Sequence, residues 1–282
     1  MIFGWIRLES DLIQFAAATH QGLRREGNED RYTADAALGL WLVADGVGGH
    51  SCGELAATIV KATVSREVSR GATLVDAIRQ SHSEVLKEIA TREASSRMGS
   101  TVVALSVLDD DYTIAWIGDS RAYLWDGKDL QQLTIDHSHV RDLVDRGVLS
   151  RGDVDTHPER HALTQSIGVS SDMKLEPGQL RGQLVVGQQI LLCSDGLTDE
   201  LSDSDIAQQL LRHSSVQQQV DALVNAALEA GGRDNITVVV VGAASASEEP
   251  QKNTAAEAGR RNFWLLATLV VIVIALGLLV LS

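Results

Sequence analysis

The sequence predicts an α+β fold built on antiparallel sheets, with one membrane-spanning helix at its end. Three observations carry this expectation. Short apolar runs of strand length recur with turn signals between them, long amphipathic stretches are grouped between the strand pairs, and the last segment is an unbroken apolar run.

The strand-like runs occupy residues 15–19, 40–44, 101–108, 112–118, 122–125, 190–193 and 236–241. Asp109-Asp110-Asp111 and Asp126-Gly127 are turn signals that give neighbouring runs hairpin spacing. Long helices are expected over 53–68 and 74–94. In the second, Leu74, Ala77, Ile78, Val85, Leu86 and Ile89 recur at helical spacing. Shorter helices are expected over 139–146, 204–212 and 216–230.

Residues 263–281 read FWLLATLVVIVIALGLLVL, without charge or proline. As a helix this run spans about 28 Å, close to the ~30 Å hydrocarbon core of a bilayer. A core helix is rarely apolar on every face. Arg260 and Arg261 precede the run, and basic flanks stay on the cytoplasmic side, so the body is expected in the cytoplasm. Residues 243–260 mix small, polar and charged side chains without apolar periodicity, as a flexible linker does. The expected organisation is a folded body over 1–242, a linker over 243–260 and a single-pass tail anchor over 261–282.

Acidic residues outnumber basic ones 38 to 24, and the formal net charge is −14. That balance argues against nucleic acid as a partner, since phosphate backbones need a basic face. Two cysteines, Cys52 and Cys193, are too few for a disulfide framework and point to a reducing compartment.

The aspartates fall in an informative pattern. The run 40–44 leads into Asp45-Gly46, 112–117 into Gly118-Asp119, and 190–193 into Ser194-Asp195-Gly196, while Gly231-Gly232-Arg233-Asp234 leads into 236–241. A single Asp at a strand end is ordinarily a turn residue. Four of them, brought together, would repel unless cations neutralised them. Carboxylates, carbonyls and waters suit hard cations such as Mg²⁺ or Mn²⁺. A dinucleotide fingerprint on Gly46-Val47-Gly48 fails at Ser51, and no phosphate-cradling Gly-Lys-Ser/Thr is present. Nor is there a G-x-S-x-G nucleophile elbow.

Eight motifs, in order, resemble the metal-dependent PPM (PP2C-type) phosphatases, the bacterial branch in particular. They are REGNED (25–30), DGVGGHSCGELAA (45–57), MGSTVV (98–103), GDSRAYL (118–124), LTIDHS (133–138), LTQSIG (163–168), SDGLTD (194–199) and GRDNIT (232–237). The resemblance implies an α/β/β/α sandwich of two antiparallel sheets between helix layers. It implies hydrolysis of phosphoserine and phosphothreonine in proteins by a metal-activated water, with Mn²⁺ or Mg²⁺ as two core ions. By resemblance, Asp45 bridges the two metals with the Gly46 carbonyl as a further ligand, and Asp195 and Asp234 bind the first. Glu29 or Asp30 faces the second, directly or through water. Asp119 and Asp199 match positions that hold a third, weaker metal, and Arg25 matches the arginine that grips the substrate phosphate.

Animal members carry a His two residues after the bridging Asp, where this chain has Val47; bacterial members commonly lack it. The resemblance therefore leaves the proton donor to the leaving group open, with metal-bound water the expectation. His50 is expected to pack the loop. Residues 136–161 correspond to the flap beside the active site, and His137, His139, His157 and His161 within it are read as structural. Phosphorylated proteins, a membrane serine/threonine kinase and its targets among them, are the expected partners. Three rival readings are an inactive membrane-tethered binding module, a hydrolase of small phosphorylated metabolites, and a purely structural membrane protein, which would leave the carboxylate pattern without a reason.

Overall fold

The computed structural model describes residues 2–7, 12–48, 51–92, 98–154, 156–169 and 174–244. Strands β1 (Ile2–Arg7), β2 (Leu12–His20), β3 (Arg31–Asp35), β4 (Leu40–Ala44) and β5 (Gly46–Val47) lead into helices α1 (Ser51–Ser69) and α2 (Leu74–Ala90). Strands β6 (Gly99–Ser100), β7 (Val102–Leu108), β8 (Asp111–Ile117), β9 (Arg121–Trp125) and β10 (Leu130–Gln132) follow, then α3 (His139–Asp145). The order ends with β11 (Gly178–Gln183), β12 (Gln189–Cys193), α4 (Asp195–Thr198), α5 (Asp203–Arg212), α6 (Val216–Ala230) and β13 (Ile236–Ala244). Met1–Ser245 is one compact unit.

One sheet runs β1-β2-β13-β12-β9-β10, a second runs β11-β8-β7-β4-β3, and every pairing in both is antiparallel. The period-2 alternation of strand side chains sorts the core into three layers. Trp41 and Val43 of β4, Val103 and Leu105 of β7, Leu192 of β12 and Val239 and Val241 of β13 meet between the sheets. The opposite faces of β12 and β13, through Leu191, Val238 and Val240, pack on Ile206, Leu210, Val220 and Leu223 of α5 and α6. Leu40, Leu42 and Ala44 of β4 pack on Val60, Val64 and Ile78 of α1 and α2. Strand β4 is buried along its whole length because both its faces are covered, which is why it reads as a continuous apolar run.

The strands and helices expected within residues 1–242 therefore exist, with ends moved by a few residues. Helix α2 stops at Ala90, four residues short of the expected end, where Thr91 caps it by donating its N–H to the carbonyls of Glu88 and Ile89. Strands β3 and β11 carry no strand signal in the sequence. Each is an edge strand, and β11 contains two glycines. Gly178 lies flat against Trp116 and Gly182 against Tyr112, where a Cβ would come within 2.3 Å and 2.5 Å of the aromatic side chains. Aromatic rings of β8 thus supply the packing that the β11 glycines lack. Among the described residues no helix is long and apolar enough to cross a membrane. The apolar run 263–281, most of the linker and His50 lie outside the described residues.

Candidate metal centre

Strand ends from both sheets define one cleft. Asp45 follows β4, and Asp119 follows the Gly118 turn after β8, on one sheet. Asp195 opens α4 directly after β12, and Asp234 stands just before β13, on the other. Thr101 fixes the Asp45 backbone: its hydroxyl accepts the Asp45 N–H at 3.2 Å, and its own N–H donates to the Asp45 carbonyl at 2.8 Å. Gly196 lets α4 abut the strand beside it, since a Cβ there would lie 2.0 Å from the Asn235 carbonyl oxygen. Asn235 ties the third wall down. Its side-chain amide donates to the carbonyls of Gln21 and Gly27 at 2.8 and 2.9 Å, and its Oδ1 accepts the Glu29 N–H at 2.8 Å.

The cleft has a volume of about 1140 Å³. Arg25, Glu29, Asp45, Gly46, Asp119, Asp195, Asp199 and Asp234 all line it. Of the acidic pair left open by the sequence, Glu29 faces the cleft, whereas Asp30 is buried beneath it. Ser194 and Thr237 donate hydroxyls to Asp30 Oδ2 at 2.7 and 2.6 Å, so this carboxylate joins the ends of β12 and β13.

Burial first, and the neighbouring charges second, raise the pKa values of Asp30, Asp45, Asp119 and Asp195. Burial raises Asp45 well above the usual carboxylate range, and Asp30, Asp195, Asp119 and Asp234 push it further. Asp119 is likewise raised well above that range by burial, then by Asp195 and Asp136. Asp195 is pushed up to about 6 by burial and by Asp199 and Asp234. Asp30 reaches about 7, mainly through burial, despite its two hydroxyl donors. Arg25 is raised by its ion pair with Asp234 and by the neighbouring carboxylates.

These residues fit divalent cations. The donor set is almost entirely oxygen, its carboxylates outnumber the arginines of the cleft, and Oδ1 of both Asp30 and Asp195 is buried without a hydrogen-bond partner. Ligand atoms of His161, Asp195 and Asp199 also lie within 4.8 Å of one another. His161, read as structural from the sequence, therefore stands in the cleft, its Nε2 3.6 Å from Asp199 and its Nδ1 3.9 Å from Asp195. Its neighbour Arg160 is 3.9 Å from Asp199 and donates to His161 Nε2 at 2.8 Å. Only the long-range return of the flap onto α4 brings them there, and no local pattern signals it. The other flap histidines serve the fold: His137 accepts the Gly118 N–H at 3.2 Å and stacks on Trp116, which steadies the Asp119 turn. His139 pairs with Glu159 at 3.4 Å, and His157 Nδ1 accepts the Glu159 N–H at 3.2 Å.

Fold and cleft together define a two-sheet sandwich protein with a divalent-cation centre at its strand ends. The family model described as Protein phosphatase 2C matches residues 18–143. The protein phosphatase PhpP of Streptococcus pneumoniae is 32% identical over 241 residues, covering 81% of this chain and 96% of that protein. The serine/threonine protein phosphatase PstP of Mycobacterium tuberculosis is 33% identical over 235 residues, covering 81% of this chain but 45% of that protein, so the match spans about half the length of that relative. The solved catalytic domain of a serine/threonine phosphatase PstP in complex with two manganese ions superposes with a TM-score of 0.74 at 31% identity, over 83% of this chain and 99% of that one. The chain belongs to the protein phosphatase 2C family.

Proposed function

We propose that this chain is a metal-dependent protein serine/threonine phosphatase that works at the cytoplasmic face of a membrane. The observation that carries the reading is the convergence of Asp45, Asp195, Asp234 and Glu29 on one cleft with Arg25 at its mouth. Mn²⁺ or Mg²⁺ would be held by Asp45 and the Gly46 carbonyl between two positions. Asp195 and Asp234 would serve the first, Glu29 the second, and Asp119 and Asp199 a third. When bound, such ions activate water for attack and neutralise charge on the phosphoryl group.

The chain's own residues do the rest. Arg25 presents a planar guanidinium suited to two phosphoryl oxygens, and its pairing with Asp234 holds it over the carboxylates. The Thr101 contacts fix the Asp45 backbone at the end of β4. Asp30, bound through Ser194 and Thr237, locks the two strand ends that carry Asp195 and Asp234. Neither cysteine lines the cleft, and burial pushes the Cys193 thiol up to about 12, so no cysteine nucleophile takes part.

The membrane half of the proposal rests on residues 263–281 as a spanning segment and on Arg260 and Arg261 as its cytoplasmic flank. Residues 1–242 would form the catalytic body and 243–260 its tether. Confinement raises the effective concentration of phosphoproteins at the same surface, membrane kinases and their targets among them. The test is phosphate release from a phosphothreonine peptide with Mn²⁺, with chelator, and by Asp45→Asn and Asp234→Asn variants. Metal-dependent release lost in both variants supports the reading. Well-folded protein that hydrolyses only small phosphorylated metabolites, or nothing, sinks it.

A further inference from the structure

Four arginines line the cleft: Arg24, Arg25, Arg160 and Arg233. Three are engaged. Arg25 pairs with Asp234, and Arg160 contacts Asp199 and His161. Arg233 clasps the Glu200 carboxylate at 2.9 and 3.1 Å and donates to the Asp199 carbonyl at 2.9 Å. Arg24 makes no hydrogen bond or ion pair among the described residues, although the protein carries an excess of carboxylates.

Its backbone, by contrast, is clamped. The Leu23 N–H donates to the Gly232 carbonyl at 2.6 Å, and Asn235 holds the carbonyls of Gln21 and Gly27 on either side of Arg24. Gln21 Nε2 closes the turn on the Arg25 carbonyl at 3.3 Å. Gly22, with φ +80°, rests against the Asp234 carbonyl, where a Cβ would lie 2.1 Å away. The turn is thus fastened to the loop that bears Asp234, and it presents an uncompensated guanidinium one residue from the proposed phosphate-gripping arginine.

We infer that Arg24 is a specificity residue that reads a second anionic group on the substrate, close in sequence to the phosphorylated residue. Acidic side chains and a neighbouring phosphate share the chemistry that a guanidinium recognises. The inference rests on the phosphatase reading above, and it assigns the enzyme a preference for acidic or multiply phosphorylated segments. Such a contact lies outside the reacting atoms, so it changes KM more than kcat. At an exposed site it weakens as salt rises.

The test compares phosphothreonine peptides with neutral flanks, with one aspartate at each flanking position in turn, and with a second phosphothreonine. All are assayed with Mn²⁺ on the wild-type chain and on Arg24→Gln and Arg24→Lys. An exposed ion pair of up to ~1 kcal/mol corresponds to a preference of about fivefold in kcat/KM for the best-placed aspartate. The second phosphate should give at least as much. Arg24→Gln should remove the preference through KM and leave the neutral peptide within about twofold, and Arg24→Lys should keep part of it. Unchanged melting temperatures establish that the variants are folded. Equal rates on all peptides by the wild type, or a preference that survives Arg24→Gln, overturn the inference while leaving the phosphatase reading intact. Metal-dependent release from none of the peptides overturns both.

Discussion

Neutralising Asp45 should make the metal-free protein more stable while abolishing its activity. Asp45 faces Asp30, Asp195, Asp119 and Asp234, each of which raises its pKa, and it shares a hydrogen bond with Asp195. Asparagine keeps the shape and a donor for Asp195 but removes the charge. Two like charges roughly 5 Å apart repel by about 3 kcal/mol at an effective dielectric of ~20 and by about 1 kcal/mol in water. The cleft opens to solvent, so a gain of roughly 1–3 kcal/mol is expected. For a body of this size that is about 2–12 °C in melting temperature. The pH dependence has a fixed sign. The folded-state pKa values are raised, so stability is fully present below the unfolded value of about 3.9 and is lost as pH rises through the folded values, about 6 for Asp195 and about 7 for Asp30. The variant's advantage should therefore be small at about pH 4 and largest at about pH 8. Thermal denaturation in chelator at both pH values measures it, and repetition with Mn²⁺ should raise the wild type far more than the variant. A chelated Asp45→Asn protein that melts below the wild type at about pH 8 would refute the reasoning that burial and like-charged neighbours make the Asp45 charge a net cost.

Other substitutions probe the supports of the site. Gly22→Ala forces a Cβ to 2.1 Å from the Asp234 carbonyl in a left-handed backbone, so Mn²⁺-dependent activity should fall at least tenfold, with a loss of roughly 1–3 kcal/mol in denaturant unfolding. Leu192→Ala opens the layer between the sheets, and Leu223→Ala opens the layer between a sheet and α6. Each should cost about 2–5 kcal/mol, but Leu192→Ala should also weaken Mn²⁺ binding in a calorimetric titration, because it loosens the spacing between the two sheets. Cys193 is fully buried with its thiol pushed up to about 12. A thiol reagent at about pH 8 should leave it unmodified in the native protein and modify it after denaturation, as intact-mass measurement would read.

Much of the fold was legible because its central strands are buried on both faces. Strand β4 reads as an unbroken apolar run and β13 as an apolar run interrupted only at Thr237, and their ends at Ala44 and before Ile236 locate Asp45 and Asp234. The edge strands were not legible, since β3 is partly exposed throughout and β11 owes its place to the aromatic rings of Trp116 and Tyr112 rather than to its own side chains. The carboxylates of the cleft were visible as strand-end aspartates, but which of Glu29 and Asp30 faces it depends on the hydroxyls of Ser194 and Thr237, distant in sequence. His161 was invisible as a cleft residue for the same reason. Its position is set by how a long loop returns, not by any local pattern.

The cleft explains why this fold gathers charge that weakens it. Antiparallel pairing places the end of β12 beside the start of β13, with Cys193 opposite Val238, so Asp195 and Asp234 emerge side by side. In the other sheet β4 and β8 flank β7 and finish at the same edge, which brings out Asp45 and Asp119 together. Stacking the sheets through Trp41, Val43, Leu192 and Val239 sets the two pairs across from each other. Each aspartate is anchored by backbone that adjoins core strands, so none can be carried away from the cleft without disturbing a strand. The buried layers between and outside the sheets supply enough stability to hold this strained arrangement ready. A cation entering the cleft then meets ligands already in place, and its binding relieves the repulsion that the fold sustains without it.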